Sequence, residues 1–171
     1  MTGGSALHVV VMGVSGTGKS VIGERIAAGL GVTMTEGDRH HPRSNIEKMA
    51  SGTPLTDEDR WPWLRTLGDL LADQHARGRS SVLACSALRR SYRDLLRGSL
   101  PPGAVFFVHL HASYDVLETR MNEREHFMPA SLLRSQLDTL EPLGQDEHGV
   151  VVDVAAPVEE VVAAVRRALP G

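Results

Sequence analysis

The octapeptide Gly13-Val14-Ser15-Gly16-Thr17-Gly18-Lys19-Ser20 constrains this chain more than any other stretch, because it satisfies G-x-x-x-x-G-K-[ST] at every fixed position. Such a loop works only between a buried strand and a helix. The flanks supply both: Val9-Val10-Val11-Met12 is a short β-rich apolar run, and Ile22, Ile26, Ala27 and Leu30 recur at helical spacing. Glycines at 13, 16 and 18 let the backbone turn its N–H groups toward phosphate oxygens at the positive end of the following helix. Residues 13–20 are therefore the expected nucleotide site, with Lys19 reaching the β and γ phosphates of ATP or GTP and the Ser20 hydroxyl on Mg²⁺.

The remainder of the chain limits what can surround that loop. A length of 171 residues suits one domain with at most a short inserted segment. A net charge of −3 offers no blanket of positive charge to nucleic acid or anionic lipid, so anion selectivity must come from local arginines. No apolar run approaches the roughly 20 residues that span a bilayer, and Met1 to Ala6 do not read as a secretory leader. The single cysteine, Cys85, excludes an internal disulfide framework and fits a reducing cytoplasm; at a strand end in an apolar run it reads as a buried structural thiol.

Further strands are expected at residues 32–35, 81–85, 105–110 and 150–154, each separated from the next by helical patterns. Five such strands imply an α/β fold, a three-layer α/β/α sandwich around a parallel sheet with right-handed crossovers. Pro42 and Gly52 bracket a short polar helix. Thr56-Asp57-Glu58-Asp59 reads as a helix start, capped by Thr56 or Asp59, ahead of Leu64, Leu67, Leu70 and Leu71. Between strands four and five the helical pattern exceeds one crossover, and residues 122–141 are read as a lid that closes on the nucleotide within the single kinase domain 1–171.

A phosphate loop serves hydrolases and kinases alike, and two features favour a small-molecule kinase. Strand three ends in Cys85-Ser86 without a carboxylate, leaving Asp38, at the end of strand two, as the best-placed acid for Mg²⁺ or for the acceptor hydroxyl. Arg120 and Arg124 stand one helical turn apart before the lid, where they would place positive charge over the transferring phosphoryl group. Asp153 imitates a metal-binding acid but belongs to the last strand, which is expected at the sheet edge.

Over nearly its whole length the chain resembles the gluconate kinase family. The resemblance is carried by residues 12–20, by Glu36-Gly37-Asp38, by residues 41–55 from His41-Pro42-Arg43 to Thr53-Pro54-Leu55, by Asp57-Glu58-Asp59-Arg60-Trp61-Pro62-Trp63-Leu64, by Cys85-Ser86-Ala87-Leu88, by Tyr92-Arg93-Asp94, and by His126-Phe127-Met128 with Ser135-Gln136. It implies ATP-dependent phosphorylation of D-gluconate on its terminal hydroxyl, by a homodimer of the nucleoside-monophosphate-kinase-like fold. In this chain Glu36 stands where the family usually has aspartate. A polyhydroxy acid needs a cation for its carboxylate and mixed donors and acceptors for its hydroxyls. Asp38, His41, Arg43, Arg89 and Arg93 are the expected substrate contacts, Arg93 foremost, while Trp61 and Trp63 read as packing anchors. The competing readings are a shikimate-kinase-like enzyme and an ATP-binding regulator without turnover.

Overall fold

The computed structural model describes residues 6–98, 100–123 and 130–170, without the side chains of 121–123, 130 and 131. Its five strands are β1 (His8–Met12), β2 (Met34–Glu36), β3 (Ser81–Ala84), β4 (Val105–His111) and β5 (Gly149–Asp153). They form one sheet in the order β2-β3-β1-β4-β5, with every neighbouring pair parallel. In β1 all five residues are buried and in β4 all but the last, which is why both read as unbroken apolar runs rather than alternating ones. The edge strand β5 alternates instead and leaves Val151 exposed. Its position at the sheet edge puts Asp153 two strands from β1 and the phosphate loop.

Among the described residues seven α-helices join the strands: α1 (Lys19–Leu30), α2 (Arg43–Ala50), α3 (Asp57–Ala76), α4 (Arg90–Arg97), α5 (Tyr114–Glu123), α6 (Ala130–Thr139) and α7 (Val158–Ala168). Thr56, rather than Asp59, caps α3. Its hydroxyl accepts from the Asp59 N–H while the Asp59 carboxylate accepts from the Thr56 N–H, a reciprocal box that starts the helix early and carries Pro62 inside it. A single 3₁₀ turn, Gly37–His40, follows β2.

The chain turns from β1 into α1 and β2 on one side of the sheet, and later crosses from β3 to β4 on the other, so the strand order reverses at β1. Open α/β sheets bind ligands in the crevice at the carboxyl ends of the strands beside such a point. The loops after β1, β2 and β3 meet there; the Gly13 N–H donates to the Ser86 carbonyl at 3.2 Å, tying the phosphate loop to the loop after β3.

Candidate active site

Backbone geometry explains two of the glycines at the site. Gly13 has φ +142°, and a Cβ there would lie 2.6 Å from the Leu110 carbonyl oxygen. A Cβ on Gly37 would lie 2.5 Å from the Ala84 carbonyl oxygen, so the turn that aims Glu36 and Asp38 can pass β3 only without a side chain between them. Inside the phosphate loop, Lys19 Nζ donates to the Gly13 and Val14 carbonyls at 3.0 and 3.1 Å. Burial pushes its ammonium pKa down, against the pull of Asp38, Cys85 and Glu36. The Ser15 N–H donates to Gln136 Oε1 at 2.8 Å, which brings α6 onto the loop. Cys85 is buried, and burial pushes its thiol up to about 12, so it is protonated packing.

One cavity collects the chemistry. Its walls are Ser15 and Lys19 from the phosphate loop, Asp38 and His41 after β2, Arg60 and Trp63 from α3, and Ser86 after β3, with Leu132, Ser135 and Gln136 of α6 above. Trp63 donates its indole N–H to the Gly37 carbonyl at 2.8 Å and stacks on the His41 ring at 3.9 Å between centroids. His41 is 8% exposed; burial lowers its pKa to about 4, with Arg60 acting the same way and Asp38 opposing, so the ring is neutral at pH 7. The Asp38 carboxylate, 3.8 Å from His41 Nε2, remains largely open to the cavity.

Glu36 emerges as a site residue that sequence reasoning passed over as a mere substitution. Its carboxylate accepts a short hydrogen bond from Ser20 Oγ, joining the last residue of β2 to the hydroxyl of the phosphate loop. Only the placement of β2 and β1 in one sheet, with β3 between them, makes that contact visible.

The arginines sort differently from expectation. Arg93 is fully buried and committed: Nε and Nη2 donate to Glu147 at 2.8 and 3.0 Å, Nη1 to the Ala87 and Leu88 carbonyls, and Nη2 to the Pro142 carbonyl. Burial alone would raise the Glu147 carboxyl, but hydrogen bonds from Arg93, the Gly144 N–H and Arg97 outweigh it and hold it at about 2. Reading Arg93 as a substrate contact is therefore corrected. It braces the loop after β3, where Ala87 takes a positive φ of 46°, and so supports Ser86 from behind.

Arg43 is likewise corrected: its side chain is 92% exposed, pairs with Glu47 and does not line the cavity. Arg89 stands behind the wall, 3.8 Å from Asp57, with its Nε buried and unbonded among the described residues. Arg120 lines a different cleft, of about 250 Å³, with Gly16, Gly18, Val21, Ala156 and Val158, and donates to the Val154 carbonyl at 2.6 Å. It faces the outer side of the phosphate loop rather than Asp38. Arg124, with His126, Phe127 and Met128, lies outside the described residues.

The arginine that does reach the cavity is Arg60, unnoticed in the sequence because it sits in the charged first turns of α3. It is 9% exposed, and among the described residues its side chain makes one hydrogen bond, from Nη1 to Tyr92 Oη at 2.9 Å. Among the described residues no carboxylate lies within ion-pairing distance of it.

Comparison with known proteins identifies the family. A family model described as an AAA domain matches residues 9–143. A gluconokinase of Gluconobacter oxydans (strain 621H) is 54% identical over 140 residues, covering 81% of this chain and 78% of that protein. The thermoresistant gluconokinase of Escherichia coli (strain K12) is 46% identical over 156 residues, covering 90% and 88%. The chain belongs to the gluconokinase family. The crystal structure of a gluconokinase from Sinorhizobium meliloti 1021 superposes with a TM-score of 0.84 at 51% identity, covering 96% of this chain and 90% of that one. Members of this P-loop kinase family use ATP, and among the described residues no helix is long and apolar enough to cross a membrane.

Proposed function

We propose that the protein transfers the γ-phosphoryl group of ATP to the terminal hydroxyl of D-gluconate. The observation that supports it best is Arg60: a nearly buried guanidinium without a carboxylate partner among the described residues, in one cavity with Asp38, Lys19 and Ser15. A buried cation is costly unless an anion meets it. A sugar acid whose carboxylate lies on Arg60 presents its chain of hydroxyls to His41, Ser86 and Asp38, with the terminal one toward the phosphate loop.

In the reaction the 6-hydroxyl oxygen forms a bond to the γ-phosphorus as the bond from that phosphorus to the β–γ bridging oxygen breaks, and ADP leaves. Asp38 orients the hydroxyl and takes its proton. Neutral His41 offers a hydroxyl one donor or acceptor without competing for the carboxylate. The N–H groups of residues 13–20 and the ammonium of Lys19 hold the phosphates and meet the charge that spreads over them in the transition state. Ser20 and Glu36 present hard oxygen donors suited to Mg²⁺, with Asp38 as a further candidate, and few protein ligands are the usual case for that ion. When bound, Mg²⁺ would neutralise phosphate charge. Arg120 serves the nucleotide from its cleft, Arg124 is the remaining candidate for charge over the transferring group, and the lid assigned to residues 122–141, which include α6, is part of this proposal. A cytoplasmic homodimer belongs to this proposal through the family resemblance and the lone cysteine; sedimentation of the purified protein tests the dimer.

The deciding experiment is coupled ADP release over a panel of sugar acids, neutral sugars, shikimate and nucleoside monophosphates. Gluconate should stand alone. Preferred turnover of shikimate would move the protein to another acid kinase, and no stimulation by any acceptor would make it a nucleotide-binding regulator.

A further inference from the structure

The wall behind Arg60 contains a second layer that the transfer reaction does not use directly. Tyr92, on α4, is 1% exposed and accepts from Arg60 Nη1 at 2.9 Å. Its hydroxyl in turn donates a short hydrogen bond to Asp57 Oδ1, in the first turn of α3. Arg60 also lies over the Tyr92 ring, 5.3 Å from Cζ to the centroid, and Trp61 meets that ring edge-on at 5.6 Å. The phenol is thus held by contacts to its ring and through its oxygen.

We propose that Tyr92 and Asp57 are positioning residues for substrate binding: together they fix the Arg60 guanidinium toward the gluconate carboxylate. The inference rests on the reading of Arg60 as the acid's anchor. A phenol has one hydrogen. Because Asp57 takes it, the lone pairs of Tyr92 Oη are left for Arg60, and the direction of the Arg60 Nη1–H is set by a carboxylate that never touches it. Burial, reinforced by Asp57, pushes the phenol up to about 12, so that hydrogen stays in place at every working pH.

Interposing a neutral phenol solves a specific problem. An acid in direct contact with Arg60 would stabilise the buried cation, but it would occupy the fork of donors that a ligand carboxylate needs. No acid at all would leave the cation uncompensated. With Asp57 held one side chain away, the charge is partly balanced while four of the five guanidinium N–H donors remain outside this hydrogen bond. A long side chain is also immobilised before the substrate arrives, so less ordering is required on binding. Arg89, 3.8 Å from Asp57 on its other side, restrains the same carboxylate from the surface.

The test compares Tyr92→Phe, which removes one oxygen and keeps the ring, with Asp57→Asn and Arg60→Ala in the full-length protein. Tyr92→Phe is expected to raise KM for gluconate about tenfold, the scale of one hydrogen bond to a charged group, while KM for ATP and kcat move less than about threefold. Asp57→Asn keeps an acceptor and loses the charge, and should give a smaller change of the same kind. If Tyr92→Phe lowers the melting temperature and raises both KM values together, the pair is structural and the inference fails. If Arg60→Ala raises KM for gluconate and Tyr92→Phe leaves it unchanged, the relay is overturned while the anchor stands. No effect from either variant removes Arg60 from the acid site, and the function reading loses its main support with it.

Discussion

Arg60 and Arg93 are hidden to nearly the same degree, 9% and 0% exposed, yet the two regions around them treat a buried cation in opposite ways. At the junction of α4 with the loop before β5, Arg93 meets Glu147 through two nitrogens, Arg97 shares that carboxylate, and three backbone carbonyls take the remaining hydrogens. At the cavity wall, Arg60 meets a phenol, and its counter-charge stands one side chain further off. Burial of an arginine therefore says nothing about its task. What separates a brace from a ligand anchor is whether the protein itself has filled the fork.

The comparison can be broken first at the brace. Arg93→Ala leaves Glu147 buried with Arg97 as its remaining ion-pair partner and strands the Ala87, Leu88 and Pro142 carbonyls; stability should fall by about 3–5 kcal/mol in denaturant unfolding. A variant with the wild-type midpoint and a raised gluconate KM would reverse the assignment. Arg60→Ala should act the other way round. Losing a charge contact to the acid should lower kcat/KM for gluconate about 10²-fold, while removing a desolvated cation leaves the unfolding midpoint unchanged or higher. A collapse in stability with unaltered KM would make Arg60 a second brace.

The buried histidines sharpen the contrast from the neutral side. His8, His41 and His109 are each lowered from 6.5 to about 4, chiefly by burial. The unfolded chain binds these protons first as pH falls, so their contribution is fully present above pH 6.5 and is lost progressively between 6.5 and 4. Each can contribute a slope of up to about 1.4 kcal/mol per pH unit. Equilibrium unfolding at pH 7, 6, 5 and 4.5 should show the decline; flat stability across that range would mean the rings take up protons in the fold. Glu147, held at about 2, adds its loss only at lower pH. The smallest effect is expected from Arg43→Ala. Its exposed pair with Glu47 is worth under about 0.5 kcal/mol, and gluconate KM should not move.

Much of the fold was legible because its signals are local. The apolar run 9–12 and the glycine pattern after it identify a strand and a loop without any tertiary knowledge, and all five strands fall within two residues of their expected places. Thr56 could be named as a cap candidate from its spacing to Asp59. The candidate acid site was less legible because its residues act through contacts distant in sequence. Arg93 reads in the sequence as the foremost contact for the acid, since Glu147, 54 residues away, gives no local sign of itself. Arg60 looked like one more charge in Asp57-Glu58-Asp59-Arg60, and only the packing of α3 against α4 shows that it faces inward. Glu36 needed the strand order before its contact with Ser20 could be seen.

The stack of Trp63 on His41 has a consequence for how the protein can be watched. The chain contains two tryptophans: Trp63, against His41, lines the cavity, and Trp61, against Tyr92, packs in the layer behind Arg60. Indole emission depends on the polarity and protonation of what touches the ring, so intrinsic fluorescence in this protein carries news from one end of the cavity alone. Gluconate arriving beside His41 should shift the emission. A nucleotide held by residues 13–20 contributes little of its own, and any colour change it produces reports movement transmitted to the acid wall.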